Sequence, residues 1–266
     1  MSAFREKYGP LALIAGASEG LGAAWAEALA QRGLDLILVA RRAEMLEDLR
    51  RQLKSKYKIN VSFIVCDLSN SNASPFILNE IGDRTINFFV YNAAASYIGP
   101  FETPSLATHE NIVAVNINCL LQLIHALSPS MLAEGRGGII LLSSLAGFQG
   151  SGFLSTYGAT KAFIRILAEG LWYEWKDRGV DIIACCAGAI ATPNYLKTNP
   201  SKMPFFAPKP QQPMKVVEEC LARIGKMPSF ISGRANRWIY FLMLRVFTRK
   251  MAVKIMGDST RKIYRI

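Results

Sequence analysis

The chain has 266 residues, 51% of them hydrophobic and 19% charged, which suits one α/β domain with a large core. Its formal charge of +11 is concentrated: from Arg223 to Ile266 eleven Lys/Arg stand against one acid, Asp258, a net +10, so the chain lacks a general nucleic-acid-binding surface and carries a local basic tail. Five cysteines without paired zinc spacing read as buried thiols, and two isolated histidines, His109 and His125, supply neither a metal cluster nor a hydrolase triad. No metal is expected. With no cleavable leader pattern and no apolar run long enough to cross a bilayer, a cytoplasmic protein is expected.

The first strand is expected over Leu11 to Ala15, an apolar run bounded by Gly9-Pro10 and Gly16. It enters a glycine turn, Gly16-Ala17-Ser18-Glu19-Gly20-Leu21-Gly22, and an alanine-rich helix follows from Ala23 to Gln31. A dinucleotide pyrophosphate needs such a turn, because backbone N–H groups and the positive end of a helix must approach it without an intervening Cβ. The next strand, Leu34 to Ala40, ends in Arg41-Arg42 before a helix from about Ala43 to Lys56. An acid at that strand end would hold a free ribose 2′-hydroxyl, whereas two arginines suit a 2′-phosphate, so NADP(H) is expected, with Glu19 as a nearby opposing charge.

Asn60 to Cys66 and Ile86 to Tyr91 are the third and fourth strands, ending in Asp67-Leu68 and Asn92-Ala93-Ala94. Strand ends in a doubly wound sheet line one crevice, which places Asp67 at an adenine or, alternatively, makes it a helix cap. A long helix from about Ser105 to Ala133 carries Asn116 among apolar positions, either as a satisfied core amide or as the holder of a water near the reacting groups.

Gly138 to Leu142 is the fifth strand, with Ser143-Ser144 at its end, and a helix from about Leu154 to Asp177 follows. That helix carries Tyr157 and Lys161, four apart and therefore on one face, with Ser144 thirteen residues before the tyrosine. The three side chains can assemble a proton-transfer site for a carbonyl or alcohol. Val180 to Ala187 is the sixth strand, then Gly188, Ile190 and Thr192-Pro193, where a hydroxyl could reach a nicotinamide carboxamide. The alternation specifies an α/β fold, a Rossmann-type doubly wound parallel sheet flanked by helices, over residues 1–266.

Residues 190–213 hold six prolines with Tyr195, Met203, Phe205 and Phe206, a substrate lid over a hydrophobic ligand rather than one long helix. Residues 234–266 form a basic amphipathic extension: Trp238 to Leu244 is apolar throughout, and Arg245, Arg249, Lys250 and Lys254 recur at helical spacing. Its three available places are over the pocket, in an oligomer interface, or in weak contact with an anionic membrane surface.

With these pieces in order, the chain resembles the short-chain dehydrogenase/reductase family from Leu11 to about Ser232. Gly16, Gly20 and Gly22 match its cofactor loop, Asp67 its adenine contact, Asn92-Ala93-Ala94 its Asn-Ala-Gly turn, and Asn116, Ser144, Tyr157 and Lys161 its catalytic four. Ala15, Ala94 and Ala187 depart from the family's usual threonine, glycine and proline. The resemblance implies a cofactor site built from Gly16, Ser18, Gly20, Leu21, Gly22, Arg41, Arg42, Asp67, Leu68, Asn92, Ala93, Ala94, Tyr157, Lys161, Gly188, Ile190 and Thr192. Ser144, Tyr157, Tyr195, Phe205 and Phe206 are the expected substrate contacts. It also implies a homodimer or homotetramer, and the opening Arg5-Glu6-Lys7-Tyr8-Gly9, the glycine loop and the arginine pair are similar to bacterial NADP-dependent hydroxysteroid dehydrogenases. The expected reaction is ketone–alcohol interconversion with Tyr157 as general acid/base, Lys161 favouring its phenolate, Ser144 holding the substrate oxygen and Asn116 retaining a relay water. A 3-ketoacyl thioester reductase and a catalytically silent dinucleotide sensor are the alternatives.

Overall fold

The computed structural model describes residues 2–198 and 209–266. A parallel sheet of seven strands is its centre: β1 (Leu11–Ala15), β2 (Asp35–Ala40), β3 (Val61–Val65), β4 (Phe88–Tyr91), β5 (Gly137–Ser144), β6 (Val180–Ala187) and β7 (Ser229–Ile231), in the order β3-β2-β1-β4-β5-β6-β7. The strand direction of travel reverses between β1 and β4, so the crevice at their carboxyl ends is the topological switch point where such sheets hold ligands. Strand seven lies beyond the six that hydrophobic runs reveal. It pairs Ala184–Cys186 of β6 with Ser229–Ile231, three residues being too short to show a period.

The strands are near-continuous Leu/Ile/Val/Ala runs because helices cover both faces. One layer packs α2 (Gly20–Gln31) and α9 (Pro213–Leu221) around Trp25, Leu29, Leu38, Phe88 and Val217, all wholly buried. The opposite layer packs α4 (Ala73–Ile81), α6 (Cys119–Glu134) and α7 (Ser155–Trp175) around Ile77, Phe89, Leu120, Leu123 and Ala168. The remaining helices are α1 (Ala3–Tyr8), α3 (Ala43–Lys56), α5 (Leu106–Val113), α8 (Pro193–Lys197), α10 (Arg234–Arg245) and α11 (Arg249–Tyr264). All five cysteines are buried free thiols, as their apolar settings imply.

The long helix around Asn116 departs from expectation in its interior: a π-helical stretch, Ala114–Asn118, joins α5 to α6. Taken as one rod, Leu106–Glu134 is also, among the described residues, long and apolar enough to cross a membrane, contrary to the absence of such a segment expected from runs of apolar residues. Here its buried side, Ile112, Leu120, Leu123, Leu127 and Met131, is core.

Candidate active site

At the switch point the glycine turn is built by close packing. Gly16 has φ +83°, and a Cβ there would stand 2.7 Å from the Ala93 backbone; at Gly22 it would stand 1.9 Å from the Gly16 carbonyl oxygen. The Gly16 and Ala17 N–H groups donate to the Val39 carbonyl (2.8 and 3.1 Å), and the Asn92 amide donates to the Gly16 carbonyl (2.8 Å). These bonds tie the turn to β2 and to the end of β4. Ala93, set against Gly16, and Ala94, which is exposed, complete the turn. Glu19 precedes α2 without capping it through its side chain, and the Gly22 N–H donates to the Glu19 carbonyl (3.1 Å), which leaves the Gly20 and Leu21 N–H groups as the donors that a helix start does not satisfy internally. Such donors at a helix N-terminus fit the pyrophosphate of a dinucleotide.

Arg42 and Glu19 are paired (2.8 Å), and Arg42 also donates to the Ser18 hydroxyl (3.0 Å). The opposing charge in the loop is therefore already neutralised by one arginine. Arg41 is the freer one, 74% exposed, with its nearest acid Asp67 at 4.0 Å. Asp67 accepts from both the N–H and the hydroxyl of Ser69 (3.0 and 2.9 Å), and these bonds hold its carboxyl below its usual range. It is a turn-former first, with its second oxygen toward Arg41. Leu68 beside it is core.

Ser144 closes β5, accepting from the Ala146 N–H (3.2 Å), at the start of a tight turn, Leu145–Gly147, that carries the chain over α7. A Cβ at Gly147 would lie 2.7 Å from the backbone of Lys161 and Ala162, so glycine is what lets turn and helix touch. The Ser143 hydroxyl donates to the Lys161 carbonyl (2.7 Å), and Lys161 itself, 2% exposed, donates through Nζ to the Leu142 carbonyl (2.6 Å). Burial lowers its pKa to about 8. Its ammonium lies 5.6 Å from the centre of the Tyr157 ring. Burial raises the Tyr157 phenol, the Ser144 hydroxyl opposes that rise, and the neighbouring Tyr264 phenol adds to it. Ser144, Tyr157 and Lys161 are therefore assembled at the carboxyl end of β5.

Asn116 is wholly buried and its amide is fully engaged. It accepts from the Ala95 N–H (2.8 Å) and donates to the Ala95 carbonyl (3.0 Å) and to the Thr160 hydroxyl (2.9 Å). Thr160 in turn donates to the Tyr157 carbonyl (2.8 Å). The side chain is a clamp between the strand-four turn and the helix of the reacting groups, which accounts for it as a satisfied core amide.

Thr192 caps α8 by accepting from the Tyr195 N–H (3.2 Å), and its methyl would be 2.9 Å from a Cβ on Gly20. It thus stands across the crevice from the glycine turn. Gly188 packs closely on Asn236 and Leu145, and Ile190 bridges to Gln211. Of the expected substrate contacts, Tyr195 is half-buried beside Tyr264, whereas Phe205 and Phe206 lie outside the described residues.

Position 264 was missed by sequence reasoning. α11 folds back on the Phe148–Phe153 segment: the Arg249 guanidinium donates to the Phe148 carbonyl (2.9 Å), and a Cβ on Gly152 would be 3.2 Å from the Gly257 backbone. The Arg261 guanidinium sits 5.3 Å from the Phe153 ring, and Phe153 has a left-handed φ of 64°. The helix thereby brings Tyr264 to Tyr157 and Tyr195. The only available signal was the glycine pair, small residues that permit close backbone contact but do not name each other. A polar groove lined by Pro10, Asp35, Asn60 and Arg136 lies at the opposite ends of the strands, away from this chemistry.

A doubly wound sheet with an anion-ready helix terminus and a serine–tyrosine–lysine centre at one crevice defines a dinucleotide-binding protein equipped for proton transfer. Residues 10–202 match the family model for short chain dehydrogenases. The chain is 32% identical over 234 residues to a 7beta-hydroxysteroid dehydrogenase of Clostridium sardiniense, covering 88% of this chain and 89% of that one. A structure solved in work on 7beta-hydroxysteroid dehydrogenase stereoselectivity superposes with a TM-score of 0.90 at 28% identity, covering 96% of this chain and 99% of the other. A short-chain dehydrogenase from Sphingobium yanoikuyae in complex with NADPH superposes at 0.76 with 27% identity, covering 87% and 92%. The chain belongs to the short-chain dehydrogenase family of oxidoreductases.

Proposed function

We propose that this protein is an NADP(H)-dependent oxidoreductase that interconverts a ketone and a secondary alcohol on a hydrophobic substrate, a hydroxysteroid being the class best supported. The observation that carries the reaction is the convergence of Ser144, Tyr157 and Lys161 at the switch point. Support for the steroid comes from the 7beta-hydroxysteroid dehydrogenase relative, matched over almost its full length. Support for the phosphorylated cofactor comes from Arg41 and Arg42 and from the NADPH-bound neighbour.

When bound, the nicotinamide supplies or takes the hydride. The chain's own residues manage the proton and the oxygen. Gly16, Ser18, Gly20, Leu21 and Gly22 hold the pyrophosphate; Arg41, with Arg42 once released from Glu19, holds the 2′-phosphate; Asp67 and Leu68 flank the adenine. Asn92, Ala93 and Ala94 form the floor of the crevice, while Gly188, Ile190 and Thr192 bound the nicotinamide side. Tyr157 gives its proton to the developing alkoxide in reduction and takes it back in oxidation. The ammonium of Lys161 stabilises the phenolate that reduction leaves, and Ser144 donates to the substrate oxygen as its charge grows. Asn116 acts through position, keeping the Tyr157 turn of α7 against Ala95. Tyr195 and Tyr264 line the apolar side where the body of the substrate rests.

The test is NADPH and NADH oxidation across steroid, fatty and aromatic ketones. Turnover of steroid ketones with NADPH in preference to NADH is the expected result. Turnover confined to acyl thioesters, or cofactor binding with no turnover on any carbonyl, would refute the assignment.

A further inference from the structure

The two C-terminal helices have an outward side that nothing among the described residues covers. On α10 the buried stripe is Asn236, Tyr240 and Met243. At about 100° per residue, Arg234, Trp238, Phe241, Leu242 and Arg245 fall within about 60° of one line on the opposite side. Trp238 is 69% exposed and Phe241 56%, and their rings meet edge to face at 6.3 Å, an aromatic pair turned to solvent. An arginine stands at each end of the stripe. α11 adds Lys250, Met251, Lys254 and Ile255 on its own exposed side. Arg234, Arg245, Lys250 and Lys254 have no ion-pair partner among the described residues, so their charge is not consumed inside the fold.

We propose that this face docks on an anionic lipid bilayer. Aromatic and aliphatic side chains flanked by unpaired cations suit the boundary between phosphate headgroups and acyl chains, where rings enter the apolar layer and arginines remain at phosphate depth. Charge separates this occupant from a second copy of the chain. The isologous contact of a dimer would set two copies of one cationic face together in a region of net charge +10, whereas an anionic surface complements every one of these charges. On α11 the buried side is Ala252 and Thr260, opposite Lys250, Met251, Lys254 and Ile255, while Tyr264 reaches Tyr157 from the last turn of the helix.

The experiment is co-sedimentation of the full chain with vesicles of phosphatidylcholine alone or with about one-third phosphatidylglycerol, at low salt and again at high salt. Binding to the anionic vesicles at least about tenfold above that to neutral ones, lost as salt rises, is the expected result. The double variant Arg245→Glu/Lys254→Glu lowers it about tenfold or more, and Trp238→Phe abolishes most of the blue shift in tryptophan emission on vesicle addition, since Trp25 and Trp175 are buried and Trp172, half-buried on α7, is not on this face. NADPH affinity of both variants stays at the wild-type value, which establishes that they fold. Three results would each overturn the proposal: no sedimentation at low salt, equal binding to neutral and anionic vesicles, or concentration-dependent self-association that Trp238→Arg abolishes, which would assign the face to a second copy.

Discussion

Replacing Asn116 by alanine separates a structural clamp from a chemical participant. The substitution removes three hydrogen bonds of a wholly buried amide, to the N–H and carbonyl of Ala95 and to the Thr160 hydroxyl. At about 1 kcal/mol net for each, the loss is about 3 kcal/mol, with the unsatisfied Ala95 groups pushing it higher and water at the half-buried turn pulling it back. For a domain of this size that corresponds to a melting temperature lower by about 6–12 °C. Urea unfolding of wild type and Asn116→Ala reads the energy directly, and kcat measured well below both midpoints reads the function. Thr160→Ala removes one of the three bonds together with the Thr160 bond to the Tyr157 carbonyl, and is expected to cost about two-thirds as much. If Asn116→Ala unfolds at the wild-type midpoint while turnover collapses, the clamp is refuted and a direct role such as holding a relay water takes its place.

Tyr157→Phe is expected to keep NADPH binding by fluorescence titration and to lower kcat about 100-fold or more, the usual scale of a lost general acid. Glu19→Gln, by freeing Arg42 from its 2.8 Å ion pair, raises NADPH affinity several-fold relative to NADH, whereas Arg41→Ala lowers it; isothermal titration of both cofactors checks the pair. The buried Lys161 binds its proton less tightly when folded, at about 8 against its ordinary 10.5, so between those values the unfolded chain holds more protons and stability rises with pH. That rise amounts to about 3 kcal/mol at most. It is absent from Lys161→Met, and denaturant midpoints measured from pH 7 to 10 for the two proteins decide it.

The parts of the fold that were readable from residues are those where one signal had no competitor. β1 occupies the span expected from Leu11 to Ala15, because an apolar run there is fenced by proline and glycine. β5 instead continues through Ser143 and Ser144, since backbone pairing with Cys186 and Ala187 outlasts the apolar side chains that mark the strand in sequence. The π-helical stretch is invisible because apolar positions at Ile112, Val115, Cys119 and Leu123 recur at three- and four-residue spacing, which reads as uninterrupted α-helix. At the site, the grouping of Ser144, Tyr157 and Lys161 was legible from their spacing read together with the cofactor loop and the family's motif order, and Gly16 and Gly22 from the turn they force. Arg42 was legible as a cation but not as the partner of Glu19. The return of Tyr264 to the site depends on long-range packing between two glycine-containing surfaces, which no local pattern encodes.

The π-helical stretch at Ala114–Asn118 has a further consequence for how this helix tolerates change in length. A π turn accommodates one residue more than the α turn it replaces, so it works as a phase shift between α5 and α6. Deleting a single residue there would restore a uniform α-helix and rotate everything beyond it by about 100° relative to α5. Ile112 and the Leu120, Leu123 and Leu127 stripe could then no longer face the sheet together, and the amide at 116 would leave the register that meets Ala95 and Thr160. The surplus residue is thus what permits one continuous rod to serve the core along its whole length while handing a polar side chain to the crevice at its middle.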